Sequence, residues 1–201
     1  MLLEIDPNHP SAHKLEQIRQ KLISGVVIFA TESSYVFGTS YDNKSAIKRI
    51  YQLKQLSYKL PATLVCHNFS QFQNFISSIP TSLFRLIKNH IPGNYTFIFK
   101  ASKNVPTYLN KSARKTIGVK VPSLNLARSL AESLALPILT SSVKIEQDTH
   151  DPILIHTKYK KLVDLVVDSG NCYVNPSSVI DFSNNPPVVL REGGDDVSWI
   201  R

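Results

Sequence analysis

The chain has 201 residues, of which 42 % are hydrophobic, and no Gly/Ser-rich or Pro-rich linker divides it. These properties are typical of a single domain over residues 1–201 and argue against intrinsic disorder. The net charge of +8 favours anionic partners such as phosphates, nucleotides or nucleic acid, although a merely basic surface would give the same value.

Several other classes of protein are excluded by what the sequence lacks. No run of eighteen apolar residues is present, which argues against a membrane span. The N-terminal segment has acids and proline where a signal peptide needs a basic and then an apolar run, so we expect a cytoplasmic protein. In that compartment Cys66 and Cys172 are expected to stay reduced. The histidines form neither H-E-x-x-H nor a Cys/His cluster, so no zinc site is predicted.

The first predicted element is a helix that begins after Ser11 and ends at Gly25. A buried strand follows at residues 26–30, and a second helix begins at about Asp42. A third helix is predicted at residues 81–93, capped by Thr81, and a fourth at 125–136. Further strands are predicted at residues 62–66, 95–99, 116–121, 137–141, 177–182 and 187–190, and at the end of 160–170. Helices and strands alternate early and strands dominate late, which predicts an α/β fold with a mixed sheet.

Hydroxyl-bearing residues follow the first predicted strand, in the stretch ATESSYVFG at residues 30–38. Strand ends are frequent ligand sites in open α/β sheets, so Thr31 and Ser34 are candidates for binding an amino acid or a nucleotide. The alternative is a polar loop in which Gly38 provides a permissive turn.

A second group of hydroxyls ends the predicted strand PILTS, where Thr140 and Ser142 are further candidates. Lys144 stands where a neutral polar residue would complete such a site. Strand alternation and the loop that follows leave its direction open.

Three other basic residues are candidates for holding an anion. Lys54 falls on the core-facing stripe of its helix, where it either pairs with a phosphate or extends to solvent. Lys120 alternates with Val119 and Val121 and therefore faces a cleft or water. Arg191, in REGG, either clamps an anion or belongs to a surface turn. The sequence has no P-loop and no Ser/His/Asp or Cys/His arrangement, so any chemistry would depend on positioning and electrostatics.

Taken together, seven short motifs resemble those of the YrdC-like family in the same order. They are ATESSYVFG, IYQLKQL, IPGNYTFIF, KTIGVKVP, PILTSSVK, PSSVIDF and VVLREGG. The family counterparts are P-T-E-T-x-Y-G-L-G, L-K-x-R-P, P-G-P-x-T, T-V-x-V-R-x-P, P-x-x-S-T-S-A-N, P-S-T-V-V-D and I-L-R-x-G. The resemblance runs from about Ile18 to Gly194. It implies a twisted open mixed sheet, flanked by helices around a concave basic cavity.

The resemblance also implies an activity. Enzymes of the family are threonylcarbamoyl-adenylate synthases, which combine threonine, bicarbonate and ATP and release pyrophosphate. Their product is an early intermediate of threonylcarbamoyladenosine in tRNA. We therefore expect ATP or another nucleotide, threonine and bicarbonate as ligands, Mg²⁺ as the cofactor that accompanies ATP, and no membrane partner.

Carried over residue by residue, the resemblance implies a set of substrate- or nucleotide-binding residues: Thr31, Ser34, Lys54, Lys120, Thr140, Ser142, Ser178 and Arg191. Of these, Thr31 and Ser34 would line the threonine side, and Lys54 would hold phosphate. Ser178 and Arg191 would close over the nucleotide.

The chain departs from the tetrad K-x-R and S-x-N that the synthases carry. K-x-R ends in Leu56 instead of arginine, and S-x-N ends in Lys144 instead of asparagine. Lys120 replaces an arginine of the family's cleft and lacks the fork that grips phosphate through two hydrogen bonds. The loss of one charged hydrogen bond from a transition state costs about 2–4 kcal/mol. We therefore expect weak or altered activity unless Lys144 supplies a cation.

The same departures resemble the YciO branch of the family, which is also similar across LIKNHIPGNYTFIFK at residues 86–100. Three functions stay open. The first is a YciO-type protein that binds ATP and RNA and has weak or altered synthase activity linked to tRNA modification. The second is a non-catalytic module that holds double-stranded RNA in the basic cavity through backbone contacts. The third is a carbamoyl or nucleotidyl transferase with another substrate.

Overall fold

The computed structural model describes residues 1–55, 63–106, 108–109, 115–144 and 149–200. The helices are α1 (Ala12–Ser24), α2 (Lys44–Leu53), α3 (Phe69–Gln73), α4 (Thr81–Lys88), α5 (Asn125–Leu134) and α6 (Pro152–Tyr159). The strands are β1 (Leu2–Glu4), β2 (Val27–Ala30), β3 (Tyr35–Ser40), β4 (Thr63–Val65), β5 (Tyr95–Lys100), β6 (Thr116–Lys120), β7 (Ile138–Ser142), β8 (Thr149–His150), β9 (Leu165–Asp168), β10 (Cys172–Tyr173), β11 (Ser178–Asp181) and β12 (Val188–Arg191). None of the helices in the described ranges is both long and apolar enough to cross a membrane.

Ten strands form one twisted mixed sheet in the order β1-β9-β2-β3-β7-β4-β6-β5-β11-β12. Four neighbouring pairs are parallel, namely β1·β9, β9·β2, β4·β6 and β5·β11, and the others are antiparallel. Strands β8 and β10 form a separate antiparallel pair. The predicted mixed sheet flanked by helices is confirmed.

Helices cover the two faces of this sheet unequally. On one face, Leu22 of α1 and Leu130 of α5 pack in a core with Val27 and Phe29 of β2. On the opposite face, Ile28 belongs to a larger core to which α2, α3, α4 and α6 all contribute. Burial on both faces explains why β2 reads as an uninterrupted apolar run. Helices α1 and α5 cover only one end of their face and leave the other end bare.

The stretch ATESSYVFG contains the end of β2, a polar turn at residues 31–34 and the first four residues of β3, so it belongs to a hairpin. Strand β3 pairs antiparallel with β2, from Ala30 opposite Tyr35 to Val27 opposite Gly38. Gly38 therefore lies inside a strand and provides no turn; a Cβ at this position would overlap the ring of Phe29. The sequence interpretation missed β3, although YVFGTS is rich in residues that favour strands.

Helix boundaries differ slightly from the predictions. Helix α1 begins after Ser11 and ends before Gly25, as predicted. Helix α2 is capped by the side chain of Asn43 and not by Asp42. Thr81 is the first residue of α4 and does not cap it. Helix α6 was missed, because its exposed apolar residues obscure the helical pattern that a buried stripe would give.

Candidate active site

A cavity of about 580 Å³ lies over the part of the sheet face that α1 and α5 leave bare. This volume is within the range of about 300–1,000 Å³ typical of small-molecule sites. The floor consists of alternate residues of adjacent strands, because every second side chain of a strand points to the same face. Polar and small residues occupy many of these positions, among them Thr63, Thr96, Gly118, Lys120, Thr140 and Ser142.

The structure brings most of the predicted site residues together. Those that line the cavity are Thr31, Ser34, Lys120, Thr140, Ser142, Lys144 and Arg191. Lys54 does not line the cavity, but its Nζ donates to the carbonyl of Ser142, which does. Ser178 is not a lining residue, because its hydroxyl is bonded to the carbonyl of Asp195. Leu56 lies outside the described residues. The roles of these residues toward a substrate stay predictions.

The turn between β2 and β3 forms one wall of the cavity. The hydroxyl of Thr31 donates to the carbonyl of Ser34 at 2.9 Å and accepts from the N–H groups of Ser33 and Ser34 at 3.2 and 3.3 Å. Thr31 and Ser34 are both buried. The hydroxyl of Thr31 is therefore engaged in shaping the turn, and Ser33 is turned toward the sheet.

Lys120 projects from β6 into the cavity and is only 4 % exposed. Its Nζ lies 2.8 Å from Oε1 of Glu32 and donates to Oδ1 of Asn94 at 3.0 Å and to the hydroxyl of Ser33. Burial lowers the pKa of Lys120, and the carboxylate of Glu32 opposes part of that effect. Two hydrogen bonds and one ion pair thus hold the ammonium of Lys120, which ties the hairpin turn to the sheet.

Two further ammonium groups meet at the end of β7. Lys54, the residue that ends α2, donates from Nζ to the backbone carbonyl of Ser142 at 2.5 Å. Burial, together with the nearby ammonium of Lys144, lowers the pKa of Lys54 to about 8. Within the described part of the chain, neither Lys54 nor Lys144 forms an ion pair. Since no carboxylate among the described residues offsets them, this end of the cavity suits an anion.

Arg191 forms the opposite rim of the cavity. Its Nε donates to the carbonyl of Ser177 at 2.8 Å, and one terminal nitrogen donates to the hydroxyl of Ser177 at 3.1 Å. Ser178 points away from the cavity: its hydroxyl donates to the carbonyl of Asp195 at 2.6 Å and accepts from the N–H of Gly193 at 3.0 Å. Ser178 thus anchors the REGG loop, and of these two neighbouring serines it is Ser177 that lines the cavity.

The sequence interpretation missed several lining residues, namely Thr63, Thr96, Ser177 and His150. The alternation that placed Lys120 would also have found Thr63 and Thr96, which alternate with the buried residues Leu64 and Phe97. His150 has no comparable signal, because it enters the site from the short strand β8.

Comparison with known proteins agrees with this architecture. The model of the Sua5/YciO/YrdC family, described as telomere recombination, matches residues 7–193. The protein YciO of Escherichia coli K12 is 38 % identical over 197 residues, which are 96 % of this chain and 95 % of that protein. A crystal structure of E. coli YciO gives a TM-score of 0.92 at 36 % identity and covers 100 % of this chain and 99 % of the other.

Two longer relatives match over about half of their own length. The threonylcarbamoyl-AMP synthase of Pyrococcus abyssi is 29 % identical over 173 residues, which are 84 % of this chain and 50 % of that protein. The structure of P. abyssi Sua5 complexed with L-threonine gives a TM-score of 0.86 at 24 % identity. It covers 96 % of this chain and 58 % of the other, and at that identity the match shows a shared fold.

Proposed function

Because this chain belongs to the Sua5/YciO/YrdC family, we propose that it binds ATP with threonine and bicarbonate and forms threonylcarbamoyl-adenylate, more slowly than a synthase with the complete tetrad. The product would supply the threonylcarbamoyl group of a modified adenosine in tRNA. P. abyssi relatives supply the precedent, since one is a threonylcarbamoyl-AMP synthase and the Sua5 structure holds L-threonine.

The observation that carries the proposal is the positive charge at the end of β7, which has no ion-pair partner in the described ranges. Lys54 and Lys144 lie close enough to lower the pKa of Lys54, and no described carboxylate neutralises either of them. Arg191 adds a guanidinium at the opposite rim of the same cavity. Binding of a triphosphate would relieve the repulsion between the two lysines and place its charge between fixed cations.

The reaction that these groups would assist has two steps. The amine of threonine attacks bicarbonate, and a carbamate forms with loss of water. An oxygen of that carbamate then attacks the α-phosphorus of ATP, and the bond from the α-phosphorus to the bridging oxygen breaks, so pyrophosphate leaves with its electron pair. Negative charge builds up on phosphate oxygens in the second step, which is where Lys54, Lys144 and Arg191 would act.

Magnesium would enter the site with ATP. The described residues bring together no group of three or more His, Cys, Asp or Glu side chains suited to a metal. Glu32, the carboxylate beside the cavity, is already paired with Lys120. With so few protein donors in the described ranges, a magnesium ion would be held chiefly by phosphate oxygens. There it would offset the charge of the triphosphate.

The reduced rate follows from the altered tetrad. Leu56 removes one cation from K-x-R, whereas Lys144 adds one in S-x-N. The number of cations is thereby kept, but an ammonium cannot reproduce the paired hydrogen bonds of a guanidinium. We propose that Lys144 takes over part of the role of the missing arginine.

The test is release of pyrophosphate from ATP and Mg²⁺ that depends on both threonine and bicarbonate, with the adenylate identified by mass. Lys144→Asn should lower turnover about 10- to 100-fold. Lys21→Asn, the same change at an exposed position of α1 outside the cavity, is the matched control and should leave turnover unchanged. If the protein binds ATP and releases no pyrophosphate with threonine present, the synthase proposal is wrong.

Binding of double-stranded RNA or tRNA is the second candidate. The net charge of +8 and the exposed lysines Lys158, Lys160 and Lys161 at the end of α6 favour it. RNA binding that depends on contacts to the phosphate backbone weakens steeply as the salt concentration rises. RNA affinity that falls about tenfold or more between 50 and 200 mM salt, and that ATP does not compete away, would favour this function over the synthase.

A further inference from the structure

His150 is a nearly buried side chain of the cavity that the mechanism above leaves without a role. It lines the cavity beside the hairpin turn and is 3 % exposed. Strand β8 presents it, and its backbone pairs with that of Cys172 in β10. Its ring lies 6.3 Å from that of Tyr35.

A backbone hydrogen bond determines which nitrogen of the neutral His150 ring carries the hydrogen. Nδ1 of His150 lies 3.1 Å from the backbone N of Tyr35, which donates to it. Nδ1 is therefore the unprotonated nitrogen, and the neutral ring carries its hydrogen on Nε2. Burial lowers the pKa of His150, which favours the same neutral form.

The hydrogen on Nε2 has no acceptor among the residues that the structure describes. The ring is held on its Nδ1 side by the protein and borders the cavity. A fixed donor of this kind suits an acceptor oxygen that arrives with a ligand.

The acceptor is best identified by charge and position. In the proposed function, phosphate oxygens would be met by the positively charged side chains of Lys54, Lys144 and Arg191. His150 is neutral and is anchored at Tyr35, the residue directly after Ser34 in the hydroxyl-rich turn. A neutral donor there fits an oxygen of the amino-acid substrate better than it fits the triphosphate.

We propose that His150 is a specificity-determining residue, whose Nε2–H donates a hydrogen bond to an oxygen of the bound amino acid. This inference rests on the proposed function, because it takes L-threonine as the amino acid. It concerns recognition and assigns His150 no step in proton transfer.

The test uses calorimetric titration of the full chain with L-threonine and, separately, with ATP. His150→Asn keeps an oxygen near the position of Nδ1, so the bond from Tyr35 is retained while the donor at Nε2 is lost. This variant should bind L-threonine about 5- to 100-fold more weakly and ATP within about twofold of the wild type. His150→Gln places an amide N–H near the position of Nε2 and should recover part of the affinity for L-threonine.

A second readout requires no variant. In nitrogen-15 spectra of the wild-type histidines, the Nε2–H signal of His150 should show the neutral tautomer and shift on addition of L-threonine, but not of ATP. Binding of L-threonine by the Asn variant as tightly as by the wild type, an unmoved Nε2–H signal, or a loss confined to ATP would each overturn the inference. If the wild type itself binds no L-threonine, the threonine part of the proposed function fails, which is a different result from failure of the role of His150.

Discussion

The ammonium of Lys120 lies 2.8 Å from Oε1 of Glu32, and both side chains are largely withdrawn from water. Removing one partner of such a pair leaves the other charge buried without compensation, which costs about 3–5 kcal/mol. We expect Lys120→Met to lower the free energy of unfolding by about that amount in chemical denaturation.

The paired variant distinguishes this cause from lost packing. Glu32→Gln in the Lys120→Met background removes the stranded carboxylate and should restore much of the stability. If the double variant is as unstable as Lys120→Met alone, the buried carboxylate is not the source of the loss.

Lys54 should make nucleotide affinity depend on pH. Its pKa is about 8 and lies below that of a free lysine, so its charge is complete at lower pH and is lost as the pH rises through about 8. We expect the affinity for ATP to fall between pH 7 and 9.5, as measured by calorimetric titration. Lys54→Arg is the control, because a guanidinium stays charged over this range and the fall should largely disappear. An equal fall in both proteins would assign the effect to another group.

The hydrogen bond between Tyr35 and His150 should make stability sensitive to acid. The folded-state pKa of His150 is lower than the ordinary value of 6.5, so its contribution to stability is present above pH 6.5 and is lost as the pH falls through the folded pKa. Protonation of Nδ1 also removes the acceptor for the N–H of Tyr35. We expect Tm to fall between pH 7.5 and 5, and His150→Asn, which does not titrate there, to show a smaller fall.

Gly193 allows the REGG loop to pack closely against Ser177 and Ser178 at the start of β11. A Cβ on Gly193 would overlap the carbonyl of Pro176 and crowd the backbone of both serines. Gly193→Ala should therefore displace the loop, loosen Arg191 from Ser177 and weaken ATP binding about tenfold or more, in addition to lowering Tm.

Gly170 provides the matched control for that substitution. Its φ is +83°, but a Cβ there meets no atom within 4 Å. Gly170→Ala should cost only the backbone strain of about 1–2 kcal/mol. A larger loss of stability in Gly170→Ala than in Gly193→Ala would show that close packing of the REGG loop is not the main constraint.

Local patterns were enough to predict much of the sheet. A strand buried on both faces, such as β2, gives a continuous apolar run. A strand buried on one face gives the alternation seen around Lys120. The hairpin escaped prediction because the polar residues 31–34 resembled the end of an element, and only the pairing of Ala30 with Tyr35 shows that they join two strands.

The site was harder to predict than the fold, for reasons that depend on tertiary contacts. Ordered motifs located Ser178, but whether its hydroxyl faces the cavity depends on the REGG loop that approaches from behind. Strand alternation left Lys120 facing either a cleft or water. Its pairing with Glu32 could not be predicted, because the two residues lie far apart along the chain. His150 was missed for the same reason.

The bare half of the sheet face implies an uneven rate of amide hydrogen exchange. Among the described residues, β2 and β9 have helices on both faces, whereas β5 and β6 are backed by helices on one face and by the open cavity on the other. Backbone amides of β5 and β6 should exchange with deuterium faster than those of β2 in the ligand-free protein. A bound ligand would act as the absent covering layer and slow their exchange, so the protection pattern alone would show which strands the ligand covers.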